Sequence, residues 1–177
     1  MRSVHPMVGD VAAPDMAPLP CIIDVEASGF GAGSYPIEIG FVLPTGRAHC
    51  YLLRPLPDWG HWDATAERIH RIDRATLLRH GRALPEVADA LNHHLQGSKV
   101  YTDAWGQDMA WLALLFDSAG VKQRFVLESI RALLSDAQAA AWSGMKQQAM
   151  VELRLDRHRA SHDARIIQLA YRKSRVL

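Results

Sequence analysis

The apolar positions change period several times along the chain. Cys21-Ile22-Ile23-Asp24-Val25-Glu26 is a short apolar run ending in acids, and its β-branched residues suit a central strand. The glycine-bearing stretch Ser28–Ser34 breaks it as a loop. Ile37–Leu43 and His49–Leu53 predict two more strands, and Pro44-Thr45-Gly46 between them predicts a hairpin turn. Residues 54–62 form a Pro/Trp loop. From Ala64 the pattern becomes helical, with Ile69, Ile72, Leu77 and Leu78 as its apolar positions. Pro85 opens a further helix with Val87, Ala88, Leu91 and Leu95 on one face. Lys99–Thr102 predicts a fourth strand and Asp108–Phe116 a helix with Met109, Leu112 and Phe116 inward. Phe125–Leu127 predicts a fifth strand. Ser135–Leu155 is helical with a break at Ser143-Gly144, and Ala160–Tyr171 is a last helix with Ile166, Ile167 and Ala170 inward. This order fits an α/β domain with a hairpin-led mixed sheet and helices on its faces.

Composition narrows the picture. A chain of 177 residues, 49% hydrophobic and 22% charged, suits one soluble domain. The net charge of +1 leaves any nucleic-acid contact to local patches. Two such patches exist: Arg68, Arg71, Arg74, Arg79 and Arg82; and the segment from 154 to 177, with seven basic residues against Asp156 and Asp163. Each suits phosphates or a solvated helix face. Cys21 and Cys50 lie in apolar runs and read as reduced core thiols, which suggests a cytoplasmic protein. No apolar stretch is long enough to span a membrane. Residues 1–19, rich in Pro and Ala and without period, read as a mobile and dispensable tail ahead of a domain over 20–177.

The candidate chemistry is carboxylate chemistry. Asp24 and Glu26, two apart on a strand, point to one face while Val25 points to the other. Two adjacent carboxylates repel, and a hard divalent cation such as Mg²⁺ or Mn²⁺ resolves that repulsion. Alone the pair is a weak signal, since acids at strand ends often face water. Asp108 adds a third acid at a helix start after a strand, where α/β sheets place ligands, although a first-turn acid there is common for its own sake. His158-Arg-Ala-Ser-His-Asp163-Ala164 places a histidine before a helix and an acid in its first turn.

IIDVEASGF, YTDAWGQD and HRASHDA, in that order and with these gaps, resemble the three motifs of the DEDDh (DnaQ-like) exonucleases, a family that includes the proofreading subunit of bacterial replicative polymerase, ribonuclease T and oligoribonuclease. IHRIDRATLLRHGRALPEVADALNHHL resembles the helical stretch between the first two motifs, so the likeness covers roughly residues 20–172. The third motif is its most specific part. The resemblance implies a ribonuclease H-like fold, a mixed five-stranded sheet with helices on both faces. It implies that Asp24, Glu26, Asp108 and Asp163 hold two Mg²⁺ or Mn²⁺ ions, with His158 as general base. It implies 3′→5′ hydrolysis of single-stranded DNA or RNA ends to nucleoside 5′-monophosphates. Ala27, Ser28, Phe30 and His70 fall at substrate-contacting positions. Family members include homodimers and subunits of larger nucleic-acid-processing assemblies.

The sequence departs from the family pattern in places. Ala27-Ser28 stands where a threonine pair is frequent. Asp103-Ala104 stands where the second motif often begins His-Asn, which makes Asp103 a rival to Asp108; Asp108 keeps the motif spacing. His162, four residues after His158, would share its face on a helix and could bind zinc with it, or is a surface histidine. Phe30 reads equally as a wedge against terminal bases or as a loop residue folded onto the core. Trp59 and Trp62 suit either base stacking or packing on the domain, and Trp111 reads as core or near-core. Alternatives to the exonuclease are an inactive nucleic-acid-binding module on the same fold, a nuclease for short oligoribonucleotides or particular structures, and a zinc hydrolase using both histidines.

Overall fold

The computed structural model describes residues 17–176, so most of the expected N-terminal tail lies outside the described residues. Residues 17–20 are tied to the body: Arg175 donates to the carbonyls of Ala17 (2.6 Å) and Pro18 (2.9 Å), and Gln168 to that of Pro20 (2.8 Å).

Five strands form one mixed sheet: β1 (Cys21–Ala27), β2 (Pro36–Val42), β3 (Ala48–Leu52), β4 (Lys99–Thr102) and β5 (Val126–Ser129). Their spatial order is β3-β2-β1-β4-β5; β1 runs antiparallel to β2 and parallel to β4. The β2–β3 hairpin closes where Pro44-Thr45-Gly46 predicts it, with Gly46 at φ +83°, a conformation that needs no Cβ. Among the described residues there are six α-helices: α1 (Ala64–His70), α2 (Arg74–His80), α3 (Leu84–Leu95), α4 (Trp105–Ala119), α5 (Asp136–Leu153) and α6 (Ala160–Ser174).

Strand alternation assigns the faces. Ile23, Val25, Ile39 and Phe41 point to one side and pack with Val87 and Leu91 of α3 and Leu112 and Leu115 of α4. Ile22 and Val42 point to the other, against Trp142 and Ala149 of α5 and Ile166, Ile167 and Ala170 of α6. A smaller cluster of Tyr35, Ile37, Ile72 and Leu77 packs with Trp59 and Trp62, so these loop tryptophans pack on the domain. Helices therefore lie on both faces of the sheet.

Several local expectations change. α5 runs unbroken through Ser143-Gly144. A helical glycine costs only about 1 kcal/mol, and here the Ser135/Gln138 capping box and the burial of Trp142 and Ala149 offset it. Met109 is exposed: α4 begins at Trp105, and its inward face is Asp108, Trp111, Leu112, Leu115 and Phe116. Ile69 and Leu78 are exposed as well. Cys21 is buried, but Cys50 lies exposed on the edge strand β3.

Candidate active site

Asp24 and Glu26 sit on the face of β1 that looks toward α6, because both are in register with β2 residues on that side, Gly40 and Glu38. Asp108 reaches the same place from the first turn of α4, directly after β4, and its carboxylate accepts from the Thr102 hydroxyl. Asp163 arrives in the first turn of α6. One cavity of about 500 Å³ is lined by all four acids together with His158. Oxygen or nitrogen atoms of Glu26, His158 and Asp163 lie within 4.8 Å of one another.

The electrostatics of this cluster are unfavourable without a cation. Burial pushes the Asp24 carboxyl well above the usual carboxylate range, and Asp108, Asp163 and Glu26 push it further. Burial, then Asp163, Glu38 and Asp108, raise Glu26 to about 8. Burial raises Asp108 to about 7, against the stabilising hydrogen bond from Thr102. Arg157 opposes the shifts at Asp24 and Glu26 and pairs with Asp163 at 3.2 Å. A set of hard oxygen donors that raise one another's proton affinity fits a divalent metal of the Mg²⁺ or Mn²⁺ kind.

Both rivals named from the sequence acquire definite places. Asp103 also lines the cavity, yet one oxygen accepts from Trp142 Nε1 at 2.9 Å and the other is ion-paired with Lys146. Asp108 makes no ion pair among the described residues. His158 precedes α6 in a left-handed backbone conformation, φ +66°, with its N–H donating to Asp163 Oδ2 at 2.6 Å. The helical face that would join it to His162 therefore does not exist. His162 instead places Nδ1 3.0 Å from the Asp156 carbonyl and is absent from the cavity wall.

The substrate-contacting candidates divide. Ala27, Phe30 and His70 line the cavity. Phe30 is 73% exposed at its mouth, with its ring centroid 6.0 Å from that of Trp111. His70 is buried; Nδ1 accepts from the Ile72 N–H at 3.1 Å, while Nε2 has no hydrogen-bond partner. Burial holds this imidazole toward its neutral form. Ser28 is buried elsewhere: its hydroxyl oxygen accepts from the Tyr35 N–H at 3.1 Å and lies 2.9 Å from His61 Nδ1.

Sequence periodicity does not single out Lys146, Gln147 and Met150 of α5, which also line the cavity. Nor does it single out Glu38, although a lone carboxylate inside the strand Pro-Ile-Glu-Ile-Gly-Phe-Val is a visible anomaly.

No family model and no curated protein matches the sequence. Among solved structures, the fold matches that of exonuclease I, a ribonuclease H-like arrangement. Exonuclease I of Methylocaldum szegediense superposes with TM-score 0.65 at 13% identity, covering 85% of this chain and 38% of that one. Escherichia coli exonuclease I in complex with a dA16 oligonucleotide gives TM-score 0.65 at 10% identity, covering 87% and 40%. The zinc-bound form of the E. coli enzyme with single-stranded DNA gives 0.63 at 11%, covering 89% and 39%. The chain thus spans about two fifths of the length of these proteins. No described helix is long and apolar enough to cross a membrane.

Proposed function

We propose that the protein is a metal-dependent 3′→5′ exonuclease that removes nucleoside 5′-monophosphates from single-stranded DNA or RNA ends. The observation that carries this reading is the convergence of Asp24, Glu26, Asp108, Asp163 and His158 on one cavity from three separate parts of the chain. The likeness of the fold to a nuclease solved with single-stranded DNA supports it.

Two Mg²⁺ or Mn²⁺ ions held by the four carboxylates would supply Lewis-acid activation of water and neutralise charge at the departing oxygen. The residues perform the rest. His158 accepts the proton of the attacking water, a task suited to an imidazole because it ordinarily titrates near neutral pH. The oxygen attacks phosphorus, the bond to the preceding 3′-oxygen breaks with that oxygen taking a proton from solvent, and the 5′-phosphate leaves with the terminal nucleoside. Phe30 offers a ring face to a base at the mouth, and His70 forms part of the wall against which the terminal nucleotide would lie. Arg157, half-exposed beside Asp163, offers positive charge to a backbone phosphate. Asp108 takes the carboxylate role of the second motif, since Asp103 already serves Trp142 and Lys146.

The reading is tested with 3′-labelled and 5′-labelled DNA and RNA oligonucleotides, incubated with Mn²⁺ or with EDTA. The 3′ label should leave as mononucleotide while the 5′-labelled strand shortens stepwise, and EDTA should stop both. Internal cuts, or cutting that ignores EDTA, would overturn the reading. Comparing DNA with RNA in the same series identifies the preferred sugar.

A further inference from the structure

Glu38 is completely buried, yet it is not one of the acids around the cavity. It lies across from Glu26 in the β1–β2 register, on the face covered by α6. Its oxygens accept from Arg159 Nε at 3.0 and 3.2 Å, from an Arg159 terminal nitrogen at 2.5 Å, and from the Ala160 backbone N–H at 2.8 Å. Arg159 is the N-cap of α6 and makes no cap bond with its own side chain. Glu38 thus supplies a cap from a strand 121 residues away in sequence.

Gly40, two residues on and facing the same way, completes the seat. A Cβ there would lie 2.1 Å from Ser161 N and 2.3 Å from the Ala160 carbonyl carbon, so the first turn of α6 rests directly on the bare backbone of β2. At the other end of the segment, the His158 N–H is held by Asp163. The His158–Ala160 turn, left-handed at His158, is therefore pinned at both ends.

A local Ser, Thr, Asp or Asn would cap a helix without burying a carboxylate in the sheet. The buried Glu38 carboxylate would be costly without its partners, so it fixes the one geometry in which the half-exposed Arg159 fork and the Ala160 N–H both reach it. We infer that Glu38, Arg159 and Gly40 form a positioning device that sets where the His158 imidazole stands relative to Glu26 and Asp163. This inference rests on the proposed nuclease function for its kinetic consequence only. Glu38 and Arg159 are positioning residues that act through the turn.

The test uses the full chain with Glu38→Gln, Arg159→Met and Arg159→Lys. On a 3′-labelled oligonucleotide with Mn²⁺, kcat should fall about a hundredfold in the first two, the scale of a reacting group misplaced by about 1 Å. KM and the Mn²⁺ dissociation constant should stay within about twofold, as they do when only a transition-state interaction is lost. Arg159→Lys, which restores the charge without the fork, should recover part of kcat. Amide hydrogen exchange at His158 and Ala160 should accelerate in the Gln and Met variants while the β1 amides keep their protection. Unchanged exchange at His158, or losses in KM and Mn²⁺ binding as large as the loss in kcat, would overturn the inference. Should Glu38→Gln not fold, the two substitutions at half-exposed Arg159 carry the test. A wild type without nuclease activity under Mn²⁺ would refute the functional reading, and the exchange measurement would still decide the positioning role.

Discussion

Replacing Glu26 by glutamine is expected to stabilise the metal-free protein above neutral pH while abolishing nuclease activity. Glu26 has its carboxyl raised to about 8 in the fold, from an ordinary 4.5. Below about pH 4.5 folded and unfolded chains both hold the proton; above it the unfolded chain releases the proton first, so native stability falls as pH rises until the folded group also ionises near 8. At about 1.4 kcal/mol for each tenfold change in proton affinity, the full gap corresponds to at most about 5 kcal/mol. Partial access to water and proton uptake by neighbouring acids reduce this to roughly 2–3 kcal/mol. For a domain of this size that is a Tm increase of about 5–10 °C. Thermal unfolding followed by circular dichroism in EDTA, at about pH 5 and about pH 9, measures it: the gain should be small at the lower pH and full at the higher. Saturating Mn²⁺ should reverse the order, because the wild type gains ligand stabilisation that the variant largely lacks. An equal gain at both pH values, or none at the higher, would refute the argument that mutual repulsion and burial strain this site.

Other outcomes follow from the same geometry. His158→Asn should lower kcat by about 10²–10⁴-fold, the usual share of a general base, with Mn²⁺ binding by calorimetry largely kept; retention of kcat would remove His158 from the mechanism. Phe30→Ala should raise KM for oligonucleotides by about 5–150-fold, equivalent to about 1–3 kcal/mol of stacking, and leave the melting temperature unchanged because the ring is 73% exposed. Asp108→Asn should abolish turnover, whereas Asp103→Asn should mainly cost stability, roughly 1 kcal/mol, through weakened bonds to Trp142 and Lys146; the opposite pattern in a paired activity and melting series would exchange their roles.

Much of the fold is legible because its elements obey simple periods. The apolar, β-branched run Cys21–Glu26 and the strand pattern of Ile37–Leu43 locate two central strands, and the turn residues at 44–46 fix the hairpin. The phase of α4 is harder to read. Met109, Leu112 and Phe116 form a plausible apolar stripe, but the true inward face includes the acid Asp108, which hydropathy places outside. The acids of the first and third motifs are found by spacing. Spacing favours Asp108 over Asp103, but that Asp103 is already engaged cannot be read from the sequence, because its partners come from α5, about 40 residues further on. Ser28 looks available in the sequence and is engaged in the structure, since its partners Tyr35 and His61 are brought to it by loop closure. The Glu38–Arg159 pair is invisible to any local pattern for the same reason.

The scatter of the four carboxylates along the chain has a consequence for folding. Asp24 and Glu26 come from β1, Asp108 from α4 and Asp163 from α6, so the cluster exists only after long loops have closed. A folding chain that has paired β1 with the β2–β3 hairpin and docked α3 and α4 holds three of the acids; it lacks Asp163, and with it His158 and Arg157. Repulsion among the acids is then added to a transition state already slowed by non-local contacts, and divalent cations should accelerate only the late docking of α6. Recovery of the proposed activity after dilution from denaturant would then follow that docking rather than the earlier growth of secondary structure, making it a clock for the final step of assembly.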